Sequence, residues 1–360
     1  QKNYWVNDTS TQDDVYTSSI GSDSYSGALP NRPKQTLKNL VDFIDLEPGD
    51  TVFIDTGNYP FAAAVEIGPM DSGLPSGAVA LVGSPNRSLL SGNAGNNIGI
   101  YLNQAQYLDL ESLTIAANLD FGIRSENSKY IRVGNSNVEW NGQSGAGAAT
   151  SGGAGIRGLG GSFFSIADSL VSGNIAGGVQ FDNCPGLALS ENIIERNYGY
   201  QGIGTNYAGV QATNCPGLSF SGNTVFLNYG GLVISDSNAA SVEGNTVYSN
   251  QRSGVSFTNS SAVFQNNLVY ANLLSGAGFS GRPAVIRNNT FYGNVVRELT
   301  VDAPECTLKN NTAWVTGTGY GFYFLNTSGH FSDFNNIYAS GGTGIGWWGG
   351  AHNPLDEWQV

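Results

Sequence analysis

The chain has 360 residues, with 15 Lys and Arg against 28 Asp and Glu, a formal net charge of −13 and a pI near 4.4. That balance argues against a nucleic-acid ligand, and no apolar run approaches the ~18 residues that mark a membrane helix. Only 12% of residues are charged while 50 are Gly, and Asn and Ser are abundant, as expected of a chain with many tight corners.

Residues 1–70 differ from the rest. Tyr4-Trp5-Val6-Asn7 reads as a first strand and Gly21–Gly27 as a loop. Between Thr36 and Ile44 the apolar residues Leu37, Leu40, Val41 and Ile44 recur at helical spacing. Glu47-Pro48-Gly49-Asp50 stops that helix, and Thr51–Ile54 starts a strand. A solenoid exposes its apolar interior at its end, so the amphipathic helix is expected to act as a lid.

Further on, a unit recurs. Asn223-Thr-Val-Phe, Asn245-Thr-Val-Tyr, Asn267-Leu-Val-Tyr, Asn289-Thr-Phe-Tyr and Asn311-Thr-Ala-Trp follow one another at steps of 22 residues. Each unit alternates like a strand and is bounded by Asn and Gly. A period of this size marks stacked supersecondary units, and short strands between Asn/Gly corners indicate an all-β, single-stranded parallel β-helix. A second asparagine series, Asn118, Asn141, Asn174, Asn197, Asn228, Asn250, Asn272 and Asn294, has steps of 23, 33, 23, 31, 22, 22 and 22. The two long steps place insertions near 142–153 and 198–207 at one corner, where they would wall a cleft or be tolerated surface loops. The expected organisation is one domain over 1–360: a cap over 1–70, coils over 71–330, and a last coil with a C-terminal cap over 331–360.

The opening from Gly21-Ser-Asp through Leu46-Glu-Pro-Gly-Asp-Thr-Val-Phe-Ile54 to Gly57-Asn-Tyr59 resembles that of right-handed β-helix proteins of the pectate-lyase-like superfamily. The Asn-rich coils and the ending, from Ser332 through Trp347-Trp348 to Gln359, are similar to β-helix modules of large secreted bacterial proteins. The resemblance implies fold more than activity, because that superfamily includes lyases, hydrolases, epimerases and non-catalytic surface modules. An Asp-Pro-His-Asp epimerase motif is missing from the sequence.

Alternation sends neighbouring side chains to opposite faces. One outward column therefore reads Ala116, Glu139, Ser172, Glu195, Phe226, Tyr248, Tyr270, Tyr292 and Trp314. Glu139 and Glu195, two coils apart, are expected roughly 10 Å from each other, close to the ~6.5–9.5 Å of an inverting glycosidase pair. The plainer reading is solvated charge. The aromatic half suits stacking against sugar, with Phe226 and Tyr248 nearest the glutamates, or is a ladder that stabilises strands. A column on the next strand reads Arg124, Arg157, Gln180, Gln211, Val233, Ser256, Thr300 and Tyr323. Arg124 and Arg157 would neutralise a uronate in a lyase, or pair with carboxylates such as Glu126 and Glu139. Gln180 and Asp182 are candidates for sugar or Ca²⁺, and Trp140, Arg196 and Gln211 complete the expected substrate-binding set. A further column of alternating sign, Glu243, Gln265, Arg287 and Lys309, reads as a surface charge ladder.

Three cysteines are present. Cys184 and Cys215 occupy equivalent positions, compatible with a disulfide at strand spacing but read in preference as reduced inward thiols. Two functional readings result. One is a secreted or surface enzyme that cleaves a polysaccharide, with Glu139, Glu195 and Arg157 as catalytic candidates and hydrolysis slightly ahead of lyase chemistry. The other is a non-catalytic adhesin, glycan-binding or spacer module. Neither requires a cofactor, Ca²⁺ is left open, and the expected partner is a polysaccharide met by a monomer or by one module of a larger chain.

Overall fold

A computed structural model describes residues 1–92, 97–142, 153–198, 207–316, 318–340, 344–348 and 351–352. The expected insertions at 142–153 and 198–207 lie, apart from their edges, outside the described residues, as does Leu355–Gln359. The described chain is a parallel β-helix. It groups into two compact units, one within residues 1–184 and one built from 185–198 and the chain beyond 206.

In the N-terminal unit each coil visits three parallel sheets in turn. The first sheet runs by strand pairing from Asn3–Val6 and Thr51–Ile54 to Lys129–Gly134 and Ser162–Ala167. The second runs from Gly57–Phe61 to Asn137–Glu139 and Leu170–Ser172. The third runs from Val65–Ile67 through Ile98–Asn103, Phe121–Glu126 and Ile156–Leu159 to Val179–Asp182. The C-terminal unit repeats the order, its second sheet running from Ile193–Glu195 through Thr224–Phe226 to Thr312–Val315 and Asn336–Ala339. Its third sheet ends on Gly346–Trp348, joined by the antiparallel pair Ala351–His352.

The lid forms as its sequence requires. The helix Leu37–Phe43 starts at Thr36, whose hydroxyl accepts a hydrogen bond from the Asn39 N–H. Leu37, Leu40 and Val41 are buried, and the helix packs by the strand Val65–Ile67 at the start of the third sheet.

Asparagine side chains join coil to coil. In the C-terminal unit each Nδ2 donates to the Oδ1 of the next asparagine along Asn192, Asn223, Asn245, Asn267, Asn289, Asn311 and Asn335, at 2.9–3.1 Å. Each Oδ1 also accepts the backbone N–H of the asparagine one coil earlier. A second chain links Asn197, Asn228, Asn250, Asn272 and Asn294. The N-terminal unit has its own, Asn118 to Asn141 to Asn174. At its other corner serine replaces asparagine, Ser136 and Ser169 accepting the N–H groups of Leu113 and Ser136 at 3.1 Å. A buried amide left unpaired is costly; here both ends of nearly every amide are used. The residue ahead of each first-series asparagine turns the corner at positive φ, at Gly222, Gly244, Asn266, Asn288 and Asn310, which explains the recurring Gly-Asn and Asn-Asn pairs.

The three cysteines are reduced and buried, as the inward-thiol reading expects. The charge column is in register on the first sheet, Glu243 beside Gln265, Arg287 and Lys309, with Arg287 Nε donating to Gln265 at 2.7 Å.

The second asparagine chain ends on a carboxylate rather than an amide. Glu298, fully buried, accepts from the Asn294 side-chain amide at 2.5 Å and from its backbone N–H at 3.2 Å. Burial pushes the Glu298 carboxyl up to about 7, against an ordinary value of 4.5. Between those values the folded chain holds more protons than the unfolded chain, so stability falls as pH rises from 4.5 to 7 and then levels. The loss is on the order of 3 kcal/mol. Glu298→Gln should flatten that segment of a urea-unfolding series run from pH 4.5 to pH 8. Equal slopes in the parent and the variant would show that Glu298 does not titrate in this window.

Candidate functional site

The third sheet of the N-terminal unit carries a concentration of ionisable side chains. Its outward column runs in register through Glu66, Tyr101, Arg124, Arg157 and Gln180. Two residues further along the same strands a second column reads Asn103, Glu126, Leu159 and Asp182. The pleat thus brings together Arg124, Arg157, Gln180 and Asp182, four residues singled out in the sequence, and adds Tyr101 and Glu126.

The groups are tied to one another. Arg124 is ion-paired with Glu126, and Tyr101 Oη donates to the same carboxylate at 2.8 Å. Arg157 pairs with Asp182 on the next coil at 2.5 Å. Asn103 donates to Glu66 at 3.2 Å, and buried Gln180 donates to the Ala176 carbonyl. The Arg124 guanidinium also lies 5.8 Å from the Tyr101 ring and 5.7 Å from the Phe121 ring. These side chains are partly withdrawn from water, at 33% exposure for Arg124, 26% for Glu126, 21% for Arg157 and 26% for Asp182. The hydrogen bond from Tyr101 is the largest effect on the Glu126 carboxyl; it exceeds the opposing effect of burial and, with the contacts to Arg124, holds the group below the usual carboxylate range. The Tyr101 phenol is pushed up, first by burial and then by the Glu126 carboxylate. The pair is therefore a carboxylate acceptor and a protonated phenol donor in contact. Arg124 Nε is buried without a hydrogen-bond partner among the described residues.

Glu139 and Glu195 are outward on the second sheet as expected, in register with Ala116 and Ser172 and with Phe226 respectively. They fall in different units, and each has a cation. Glu139 faces Arg87 at 3.4 Å, and Glu195 faces its neighbour Arg196 at 2.5 Å. Trp140 is exposed at a positive φ of 57°, its ring lying against Gly173, where a Cβ would stand 2.9 Å away. Gln211 is in the C-terminal unit, in register with Val233.

Of the two readings of the aromatic column, the ladder is seen at Phe226 and Tyr248. The column is outward, but the rings of Phe226, Tyr248 and Tyr270 stack on one another at 4.8 Å with interplanar angles of 3° and 2°. Strand spacing is itself about 4.8 Å, so like residues in like rotamers cover each other's faces. Edges, not faces, are offered to a ligand there. A second stack missed in the sequence reading, Tyr107, Tyr130 and Phe163 at 4.5 and 5.0 Å, lies at positive-φ positions beside the first sheet of the N-terminal unit. Its signal was the aromatic column itself, at steps of 23 and 33 residues.

Among the described residues no group of three or more His, Cys, Asp or Glu stands close enough to hold a metal ion. No described helix is long and apolar enough to cross a membrane. A shallow depression on the first sheet of the C-terminal unit, lined by Ser241, Ala262, Val263, Pro283 and Glu305 among others, carries a single ionisable group and none of the expected site residues.

The sequence profile described as a right handed beta helix region matches residues 98–272, 154–313 and 208–357. The chain belongs to that right-handed β-helix family. A search of curated protein sequences finds no match. Among solved structures, the Dettilon tailspike protein superposes with a TM-score of 0.62 at 14% identity, over 81% of this chain and 62% of its own. This chain therefore spans less than two thirds of the tailspike. A rhamnogalacturonan lyase superposes with a TM-score of 0.61 at 15% identity, over 93% of this chain and 87% of its own. XylC in complex with xylose does so with a TM-score of 0.66 at 10% identity, over 94% and 86%. At these identities the likeness is one of fold.

The tie between Tyr101 and Glu126 is directly measurable. In a carbon-detected NMR titration the Glu126 carboxyl should titrate below its ordinary value of 4.5. In Tyr101→Phe, which loses the donor but keeps the ring, its midpoint should move up. An unchanged midpoint would mean that the hydrogen bond does not form in solution.

Proposed function

We propose that this chain acts on a polysaccharide on the outer face of the third sheet in its N-terminal unit, cleaving a uronate-containing chain by β-elimination. The observation that carries the reading is the contact between Glu126 and Tyr101, flanked by Arg124 and Arg157. A chain with so little charge gathers two cations, a carboxylate held ionised and a protonated phenol on neighbouring strands. A secreted or surface location fits a polymeric substrate. A rhamnogalacturonan lyase and XylC in complex with xylose, among proteins of the same fold, support a saccharide ligand.

The roles follow from chemistry. Arg124 and Arg157 neutralise the carboxylate of the uronate, which makes the proton on the adjacent ring carbon removable. Glu126 takes that ring proton as general base; the electron pair forms the new carbon–carbon double bond, and the bond to the glycosidic oxygen breaks. Tyr101 gives its phenolic proton to the departing oxygen and regains one from Glu126 across their hydrogen bond. Proton and electron counts close without a cofactor. Asp182 fixes Arg157, and Gln180 lies beside it in register.

The test is incubation of the full chain with pectin, alginate and rhamnogalacturonan, following both reducing ends and the ultraviolet absorbance of an unsaturated uronate. Absorbance is expected to rise, and Glu126→Gln should lower the rate by about 10²–10⁴-fold, the usual worth of a general base. Arg157→Lys should also lower it, because an ammonium does not reproduce the bidentate guanidinium. Reducing ends without absorbance would overturn elimination in favour of hydrolysis. Silence on every polymer would leave the chain as a non-catalytic glycan-binding or spacer module.

A further inference from the structure

From Phe226 to Tyr338 six aromatic side chains hold one register position on the second sheet of the C-terminal unit. The first three form the closed stack described above. The last three do not. Tyr270 and Tyr292 stand 6.4 Å apart at 33°, Tyr292 and Trp314 5.5 Å apart at 54°, and Trp314 and Tyr338 5.7 Å apart at 80°. Because the rings turn out of the common plane, they no longer stack face on face. Exposure rises to 43% at Tyr292, 47% at Trp314 and 58% at Tyr338.

The surroundings narrow the ligand. Two residues earlier on the same strands, the exposed neighbours are Thr290, Thr312 and Asn336, again in register. The three strands, Thr290–Tyr292, Thr312–Val315 and Asn336–Ala339, contain no charged residue. The face thus offers open aromatic rings beside a row of hydroxyl and amide groups and carries no charge of its own. A pyranose chain has the matching pattern of apolar C–H faces and hydroxyl edges. A polyanion would find no cation on these strands.

We infer that Tyr292, Trp314 and Tyr338 form a binding site for a neutral saccharide chain, separate from the ionic centre on the N-terminal unit. The inference shares with the proposed function only that the ligand is a glycan. It moves sugar contact away from Phe226 and Tyr248, whose faces are occupied by each other, to the end of the column where the stack opens. Trp314 is the central ring, flanked by Tyr292 and Tyr338.

The test is affinity electrophoresis through gels containing xyloglucan, mixed-linkage β-glucan or galactomannan, with tryptophan fluorescence followed during titration with xylohexaose and cellohexaose. It is run on the full chain carrying Glu126→Gln, so that cleavage does not enter. Retardation by at least one polymer is expected, weakened about tenfold or more by Trp314→Ala and clearly by Tyr338→Ser. Tyr248→Ala, inside the closed stack, should leave binding within about twofold. Thermal unfolding monitors folding, and Tyr338, the most exposed ring at the end of the column, keeps the test valid should Trp314→Ala destabilise the sheet. Parent-like binding by folded Trp314→Ala and Tyr338→Ser would overturn the site, as would failure of every polymer to retard the parent. Neutral-glycan binding without uronate cleavage would retain this site and remove the elimination reading. Cleavage without such binding would do the reverse.

Discussion

The fold depends on an amide placed where water cannot reach. Nearly every asparagine of the two series is buried at a corner, and its amide is satisfied by the asparagines one coil before and after together with main-chain carbonyls of neighbouring strands. A net gain of about 1 kcal/mol per hydrogen bond is small, but the cost of leaving such an amide unmatched is larger, so coil length is under strict constraint. A coil that gains a residue between corners breaks two bonds at once. That is the physical sense of the unvarying 22-residue step from Asn223 to Asn311. The chain departs from it at other positions, and Glu298 ends the second series with a carboxylate where an amide would continue it.

The stacking that allows these chains also governs the surface. A residue on one strand is repeated about 4.8 Å away on the next, so whatever a column contains meets itself. Like charges repel, so where they do fall side by side, as Arg124 and Arg157 do, each arginine is paired with a carboxylate. Aromatic columns are permitted but turned inward on themselves, as at Phe226, Tyr248 and Tyr270. A functional surface on such a scaffold has to break the repetition. The repetition is broken in two places, where Tyr101, Arg124, Arg157, Glu126 and Asp182 meet on the third sheet of the N-terminal unit, and where Tyr292, Trp314 and Tyr338 splay on the second sheet of the C-terminal unit.

The electrostatics of the ionic centre come from contacts between strands, not from any single residue. Glu126 is held ionised because Tyr101, one coil earlier, donates to it and Arg124, two residues earlier, pairs with it. Asp182 is reached from Arg157 on the preceding coil. These ties hold the side chains of the centre in place, whereas Glu139 and Glu195 fall in different units and each faces an arginine.

The parallel β-helix, its corners, the lid helix at Leu37–Phe43, the register of the outward columns and the inward thiols were legible in the sequence. All of them rest on local periodicity and on the few residues that tolerate positive φ. The placement of Arg124, Arg157, Gln180 and Asp182 on one face was legible for the same reason. Only the tertiary structure decided which columns interact and how. The hydrogen bond from Tyr101 to Glu126 joins residues 25 apart, and whether stacked rings show faces or edges is a matter of rotamer and tilt. Periodicity states which side chains are neighbours; their orientations depend on packing from the coils above and below, which no single repeat contains.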